Sequence, residues 1–441
     1  MFTVLTWAIA VVIACGVSYG YITSRDVFHP LIFLGPMLLF LYVWMPLKLE
    51  SAGALDGFFQ PEQLEHIQWI NLFGVICFVI GCLHASARVF GSTRRFPKVS
   101  AQTLAIGGAV LGCLGLAAWL VTIVNVGGFS DAFSSSYSGG WDDSGYIRDG
   151  TLLMFPAFLL IQSAIAVDGV KPLYIVLLCA FLAPWAVTAA LTARRGPAFM
   201  ITVIVAMGWY MNRSKRPPLV LTVSAGLVLG FLLLFLVTNR SNIYLGSDQE
   251  LTTDVTDVVD KADTGNEFIY GTGGVLSSEQ RQSFFWGRRY LAQLLVRPIP
   301  RAIWPTKYED FGVGELEHNA GTGEGFMETL GWEGAVGSAP GLIADLWMEL
   351  SWLYLPALVI LGSTYGWIWR KANVVGGVWI AQYIVLAALS IYLVMQTMEA
   401  VIFRSLLLSL PIHLIWRLAR NTAISTSASL SILQAPQSVS L

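Results

Sequence analysis

Apolar residues along this chain occur in long runs separated by short polar turns, apart from one long polar segment, 239–341. A membrane-spanning α-helix needs about 20 consecutive apolar residues, and most of these runs are close to that length. The pattern therefore predicts about eleven spans, at roughly 2–22, 30–47, 67–85, 102–124, 151–167, 172–191, 197–211, 219–238, 342–369, 374–396 and 398–416. Since the 342–369 run is longer than one crossing needs, we expect it to be tilted or broken.

The composition agrees with a protein that crosses a membrane many times. Charged residues make up 12% of the chain, whereas soluble globular proteins have about 25%. The continuous apolar runs argue against a transmembrane β-barrel, whose short strands alternate between apolar and polar residues. We therefore predict an all-α polytopic membrane protein. The net charge of −2 gives no reason to expect a nucleic-acid partner.

Basic residues in the short turns predict the orientation of the spans. Lys and Arg concentrate in the short cytoplasmic loops of membrane proteins, and with eleven spans the basic turns all fall on one side: 86–100, 212–218, 370–371 and 417–420. The first span has no basic residue before it and Arg25 after it, so we expect an uncleaved span with an external N-terminus. The predicted organisation is spans 1–8 in 1–238, an extracytoplasmic loop with amphipathic helices in 239–341, spans 9–11 in 342–416, and a disordered cytoplasmic tail in 417–441.

Two helices are predicted inside the long loop. Apolar residues at helical spacing between aspartates predict an acidic amphipathic helix around Val255 to Ala262. A capping-box pattern at Ser277 and Gln280 predicts the start of a second helix that continues to Leu295. Its aromatic and arginine residues suit a helix that lies in the lipid headgroup region.

Two arginines in a short outer turn oppose the usual charge distribution. Arg194 and Arg195 lie in the sequence Thr-Ala-Arg-Arg-Gly-Pro, on the side that basic residues of short loops avoid. Guanidinium groups bind phosphate through paired hydrogen bonds and keep their charge. The turn is therefore a candidate phosphate site. A span count that is off by one would instead place it in the cytoplasm.

A second group of basic residues lies in the proline-rich segment 296–307. Its prolines restrict φ to about −65° and make the backbone stiff. Arg297, Arg301 and Trp304 are then placed to hold a charged group and the face of a sugar. The alternative is a purely structural turn.

The glycine-rich stretch 311–341 holds the candidates for a general base. Such stretches form mobile lids or binding loops. His318, the single histidine of the long loop, can take up a proton near neutral pH. Several carboxylates are rivals for the same role: Glu315, Glu317, Glu324 and Glu328.

Ionisable residues inside the predicted spans are further candidates, because charges in a membrane usually have a function. Asp345 and Glu349 lie one helical turn apart at the start of the ninth span. Glu399 and Arg404 lie near the start of the eleventh span, and a structural ion pair is the alternative there. The sequence contains no Walker loop, HExxH or metal-ligand spacing, so we expect no cofactor and no bound metal.

Three segments together resemble a known family. These are Thr-Ala-Arg-Arg-Gly-Pro at the start of a span, Arg-Pro-Ile-Pro-Arg-Ala-Ile-Trp-Pro-Thr-Lys from Arg297, and Gly-Leu-Ile-Ala-Asp-Leu-Trp from Gly341. They are similar to segments of bacterial oligosaccharide repeat-unit polymerases, which make O-antigen or exopolysaccharide and are related to O-antigen ligases. Arg301 followed by Gly312 also fits the Arg-x10-Gly spacing of such polymerases. The resemblance covers residues 191–366.

The resemblance implies an all-helical membrane glycosyltransferase fold (GT-C-like) in the bacterial inner membrane. It implies transfer of a growing glycan from polyprenyl diphosphate to an incoming lipid-linked repeat unit at the outer face. Under this interpretation Arg194, Arg195, Arg297 and Arg301 hold the diphosphate. His318, Glu317 or Asp345 takes the acceptor proton, and Trp304, Tyr308 and Trp332 stack on sugar. The expected partners are the lipid-linked oligosaccharide, the membrane, a chain-length regulator and a flippase.

Three other functions remain open at this point. An O-antigen ligase would perform the same transfer to a different acceptor. A transporter or flippase would place its polar residues on broken helices at mid-membrane and often shows internal repeats, which we do not find. A structural protein of an envelope complex would use the long loop to bind partners.

Overall fold

The computed structural model describes residues 1–87, 99–135, 145–213, 215–253, 267–300, 303–312, 331 and 339–433, without the side chains of 145–146 and 424–433. In these ranges the regular secondary structure is helical. The main helices are α1 Phe2–Ser24, α2 Pro30–Ser51, α3 Pro61–Ser86, α4 Ala101–Asn125, α5 Met154–Asp168, α6 Pro172–Leu191, α7 Arg195–Asn212, α8 Leu219–Thr238, α9 Glu267–Gln280, α10 Arg288–Leu291 with the π-helical turn Ala292–Val296, α11 Gly341–Leu350, α12 Tyr354–Val374, α13 Val378–Met395 and α14 Met398–Leu433.

Ten helical segments of the described chain are long and apolar enough to cross a membrane. The prediction of an all-α polytopic membrane protein is therefore confirmed. The predicted span 197–211 forms α7, which is not among these ten segments. We attribute this to its polar ends, since α7 begins with Arg195 and ends with Asn212.

Helix α7 nevertheless extends between the same two ends of the bundle as its neighbour α13. At its start, Gly196 lies against the hydroxyl of Tyr392, close to the end of α13. Just after its end, Arg216 donates a hydrogen bond to Asp26 (2.6 Å) and another to Asn373 in the last turn of α12. Helix α7 therefore connects the two ends of the bundle, although it is not one of the ten segments apolar enough to cross a membrane.

The predicted basic turns, as far as the structure describes them, lie together at one end of the bundle. Asp26 joins the turn after α1 to Arg216 and to Trp369 of α12. The end of α3 lies there too, because the Ser86 hydroxyl lies 3.0 Å from His29 Nε2; the basic residues that follow, in 88–98, lie outside the described residues. The last helix reaches the same end, since the rings of His413 and Trp379 are 6.0 Å apart. The Arg194–Arg195 turn lies at the opposite end.

The long run at 342–369 is broken, as its length predicted. Helix α11 ends at Leu350, and Ser351 adopts a left-handed φ of 50° before α12 begins. Ile343 and Leu358 meet at Gly74, and the ring of Trp347 lies 5.0 Å from that of Tyr354. Helix α11 therefore doubles back along the first turns of α12.

Helices α9 and α11 are enclosed by the rest of the protein. All residues from Glu267 to Ser278 are buried, as are all from Gly341 to Glu349. The two helices run parallel, because Gly271 touches the carbonyl of Pro340 and Gly274 touches Met348 farther along. A side chain at Gly271 would collide with that carbonyl, so the glycine allows the close approach.

The predicted helix starting at Ser277 is wrong in its boundaries. Ser277 lies in the last turn of α9, and the next helix, α10, starts at Arg288. Helix α10 exposes Leu291 and Leu295 and buries the opposite face. The predicted acidic helix at 255–262 lies outside the described residues. The predicted disordered tail is helical as far as Leu433.

His29 caps α2 in a buried site that excludes its charged form. Its Nδ1 accepts a hydrogen bond from the backbone N–H of Leu31 (3.4 Å), and Ser86 lies at Nε2. Burial lowers the pKa of His29 to about 4, although the nearby Asp26 carboxylate acts in the opposite direction. Protonating Nδ1 would also place two N–H groups against each other.

We expect His29 to make the protein less stable as the pH falls from 6.5 towards 4. The unfolded chain takes up the proton near pH 6.5 and the folded chain only near pH 4, so folding loses up to about 3 kcal/mol in this window. His29→Asn keeps a capping acceptor and removes the titration. The difference in melting temperature between wild type and variant in detergent should shrink from pH 7.5 to pH 5. An unchanged difference would contradict this account.

Candidate functional site

Charged side chains gather at the end of the bundle that holds the Arg194–Arg195 turn. We call this set the charged layer; its described members are Asp149, Arg195, Glu267, Arg289, Arg297, Asp345, Glu349, Glu399 and Arg404. They come from α7, α9, α10, α11, α14 and the segment before α5. The contacts described below connect them into one continuous region.

Arg289 lies at the buried centre of the layer, with 1% of its surface exposed. Its Nε donates to Glu349 Oε2 (2.7 Å) and its Nη2 to Asp345 Oδ1 (2.8 Å). Burial opposes the charge of the guanidinium, but these two carboxylates outweigh that effect and raise its pKa. Arg289 is therefore a permanent cation that fastens α10 to α11.

Asp345 connects three parts of the chain through one fully buried carboxylate. Besides Arg289, it accepts hydrogen bonds from the hydroxyl of Tyr290 (2.7 Å) and from the backbone N–H of Met398 (2.9 Å). Burial and the adjacent Asp345 raise the pKa of Tyr290 well above its usual value, so this phenol stays a donor. A carboxylate with three donors is better suited to positioning these segments than to the predicted role of a base.

Arg297 projects from the end of α10 towards α14 and the segment before α5. Its Nη2 donates to Asp149 Oδ2 (2.6 Å), and its Nη1 donates to Gln293 (2.9 Å). The guanidinium carbon lies 4.2 Å from the ring centre of Phe403. Gln293 in turn donates to Glu399. The ion pair considered for Glu399 and Arg404 is therefore not formed.

Arg404 and the turn that holds Arg195 both contact the side chain of Tyr392. The guanidinium carbon of Arg404 lies 4.7 Å from the ring centre of Tyr392. Gly196 is so close to this tyrosine that an added Cβ would lie 2.2 Å from the hydroxyl oxygen. Arg195, beside this glycine, pairs with Glu267 at the start of α9. The predicted arginine turn is thus brought to the corner where α13 ends and α14 begins.

Two of the predicted sugar-binding residues lie on a short segment that is fastened to the end of α10. Lys307 donates to the carbonyls of Val296 and Ile299, at 3.2 and 2.6 Å. Tyr308 packs against the buried face of α10. Trp304 donates through Nε1 to Asp310 (2.6 Å), and this bond is the main reason that the pKa of Asp310 is lowered.

The remaining predicted site residues lie outside the described residues: Arg301, Glu317, His318 and Trp332. Their roles as diphosphate ligand, base and sugar platform stay predictions. Within the described ranges, no three His, Cys, Asp or Glu side chains gather to hold a metal ion. The expectation of a metal-independent reaction also stays a prediction.

Sequence reasoning missed the central role of Arg289, because the pattern around it predicts only a surface arginine that, like Arg288, binds a lipid-linked phosphate or the lipid headgroups. A signal for it was present. Two carboxylates one turn apart in an apolar run, Asp345 and Glu349, require a buried cationic partner. The sequence could not show which loop arginine is that partner. Arg288 and Arg289 are adjacent and chemically identical, yet in the structure Arg289 is buried and Arg288 is exposed.

No protein-family model, no curated protein and no solved structure matches this chain. The candidate site therefore has to be interpreted from its own geometry.

We expect Arg289→Met to destabilise the protein by about 3–5 kcal/mol, because it leaves two carboxylates buried without their cation. Arg288→Met is the matched control, since this adjacent arginine is exposed and its replacement should change stability by less than about 0.5 kcal/mol. Thermal unfolding in detergent, followed by size-exclusion chromatography, measures both. Equal melting temperatures for the two variants would show that the buried cluster does not stabilise the fold.

Proposed function

We propose that this protein polymerises polyprenyl-diphosphate-linked oligosaccharide repeat units at the outer face of the bacterial inner membrane. The observation that carries the proposal is the meeting of two distant arginine segments at one corner of a multi-pass bundle. The Arg194–Arg195 turn reaches it through Tyr392, and Arg297 reaches it through Phe403. Both segments also belong to the stretches that resemble repeat-unit polymerases.

Fixed guanidinium groups suit a reaction whose leaving group is a diphosphate. Charge develops on the leaving phosphate oxygens as the glycosidic bond breaks, and donors already in place stabilise that charge. Asp149 and Gln293 hold Arg297, and Glu267 holds Arg195. A guanidinium has five N–H groups, so one arginine can serve a carboxylate and a phosphate at once. The carboxylates then orient the arginines before substrate binds.

The sidedness of the bundle supports the outer face as the place of reaction. The basic turns that the structure describes lie at one end, and basic residues of short loops favour the cytoplasm. The charged layer lies at the opposite end. Next to the charged layer, the side chains of Trp286, Leu291 and Leu295 are exposed. Exposed apolar side chains next to a charged layer suit contact with lipid chains.

The proposed chemical step forms one glycosidic bond and breaks one. A base takes the proton of an acceptor hydroxyl on the incoming unit; His318 and Glu317 are the proposed candidates. The hydroxyl oxygen attacks the anomeric carbon of the growing chain, and the bond to the diphosphate breaks. The arginines receive the polyprenyl diphosphate that leaves. Trp304, Tyr308 and Trp332 are proposed to hold sugar rings during the transfer.

A transporter of such lipids is the second candidate. Helices α9 and α11 are short, run parallel and are enclosed on nearly all sides, and α11 belongs to a broken span. Many transporters build their substrate sites from discontinuous helices. Against this, the arginines concentrate at one end of the bundle, where a surface reaction needs them.

Reconstitution separates these functions. The full chain is reconstituted in proteoliposomes and a lipid-linked repeat unit is added. Mass spectrometry then measures the masses of the glycan products. Polymerisation predicts lipid-linked products whose masses rise by whole repeat units, with one polyprenyl diphosphate released for each bond formed. Transfer of one unit to a different acceptor would favour a ligase. Movement of the lipid across the bilayer without any new bond would favour a transporter and would refute the proposal.

We expect Arg195→Gln and Arg297→Gln each to lower kcat/KM for polymerisation by about 100-fold, the usual effect of removing one donor to a developing anion. Arg213→Gln is the control. Arg213 also stacks on an aromatic ring, that of Trp209, but it lies at the basic end of the bundle. Initial rates in proteoliposomes, at equal amounts of folded protein, give the comparison. Wild-type rates in both test variants would contradict the diphosphate-binding role.

A further inference from the structure

Arg404 is a half-buried cation in the second turn of α14, inside a segment that is apolar enough to span a membrane. Its guanidinium stacks on Tyr392, and its Nη1 donates to the carbonyl of Ala400 at 2.8 Å. These contacts hold the side chain in place. Neither of them supplies a negative charge.

The other arginines of the charged layer each have a carboxylate partner. Arg195 pairs with Glu267, Arg297 with Asp149, and Arg289 with two carboxylates. Within the described ranges, no carboxylate lies within ion-pair distance of Arg404. Glu399, five residues earlier on the same helix, accepts a hydrogen bond from Gln293 instead.

An arginine in a membrane span without a countercharge is costly, and such residues usually face a cavity, a partner or a substrate. Its surroundings indicate which. Tyr392, on which Arg404 stacks, also touches Gly196 in the Arg194–Arg195 turn. The guanidinium of Arg297 stacks on the ring of Phe403, the residue before Arg404. Arg404 therefore lies between the two arginine segments of the proposed site.

We propose that Arg404 binds a phosphate group carried by a membrane lipid, and that this group is the diphosphate of the polyprenyl substrate. The choice of a diphosphate rests on the proposed function. The ligand would supply the negative charge that the described protein does not place beside Arg404. A guanidinium fixed on an aromatic ring presents its donors in a planar fork that suits phosphate oxygens.

Direct binding tests this role without any need for catalysis. The full chain is placed in nanodiscs of zwitterionic lipid and titrated with polyprenyl diphosphate, polyprenol or phosphatidylglycerol, and native mass spectrometry counts the bound lipid. We expect Arg404→Gln to weaken polyprenyl diphosphate binding about tenfold or more, the effect of one charge-assisted hydrogen bond. Polyprenol binding should not change. Arg404→Lys should restore part of the affinity, and Arg213→Gln should bind as the wild type does.

Two results would overturn the inference. One is wild-type affinity of Arg404→Gln for polyprenyl diphosphate. The other is an equal loss for phosphatidylglycerol, which would make Arg404 an anchor for ordinary lipid headgroups. The proposed function fails separately: if the wild type binds the diphosphate through Arg404 but never extends a glycan, the binding role stands and the polymerase does not.

Discussion

The buried contact of Arg289 with Asp345 and Glu349 is the constraint on which the charged end of this protein depends. A guanidinium with 1% of its surface exposed is stable only where carboxylates replace the lost water. The two carboxylates face it from successive turns of α11, at 2.8 and 2.7 Å. Because both carboxylates lie in the enclosed helix α11, Arg289 cannot move to solvent without leaving them buried without a cation. The contact therefore requires the polar segment around Arg289 to pack into the bundle.

The position of the candidate site follows from this contact. Once Arg289 is fixed, the helical rise of α10 places Gln293 one turn later and Arg297 one turn after that. Gln293 then reaches Glu399, and Arg297 reaches Asp149 and the ring of Phe403. Asp345 adds the backbone of Met398, which fixes the start of α14. One buried cation thus sets the geometry of residues from three distant parts of the chain.

The membrane spans could be predicted from the sequence, because they depend only on how apolar each run of residues is. Apolar runs must lie in lipid or protein, so most spans were placed correctly, and the excess length of 342–369 indicated its break at Ser351. The interior of the polar segment could not be predicted this way. The capping pattern at Ser277 is local, whereas the real helix α9 is specified by Gly271 and Gly274, which let it pack closely on α11. Glycines that serve packing have the same sequence signal as glycines in loops.

The candidate site shows the same division. Arg194, Arg195 and Arg297 were predicted as site residues because arginines in stiff turns on the predicted outer side are unusual, and the structure places both segments at the charged end of the bundle. It could not give their partners, since an ion pair joins residues as distant as Asp149 and Arg297. Nor could it separate Arg288 from Arg289, which differ only in the direction that a helix gives their side chains.

The balance of charge in the layer also limits how an anion can bind there. The members of the layer are five carboxylates and four guanidinium groups, so the layer as defined carries no excess of positive charge. Any attraction has to be local, and it is opposed around Arg289, where two carboxylates face one cation. Near Tyr392, by contrast, Arg404 stacks without a carboxylate and the Arg194–Arg195 turn approaches from the other side. The structure thus separates two positions of arginine: beside α11 it holds the fold together, and beside Tyr392 Arg404 has no carboxylate partner in the described chain, which is where we propose that a lipid-borne diphosphate binds.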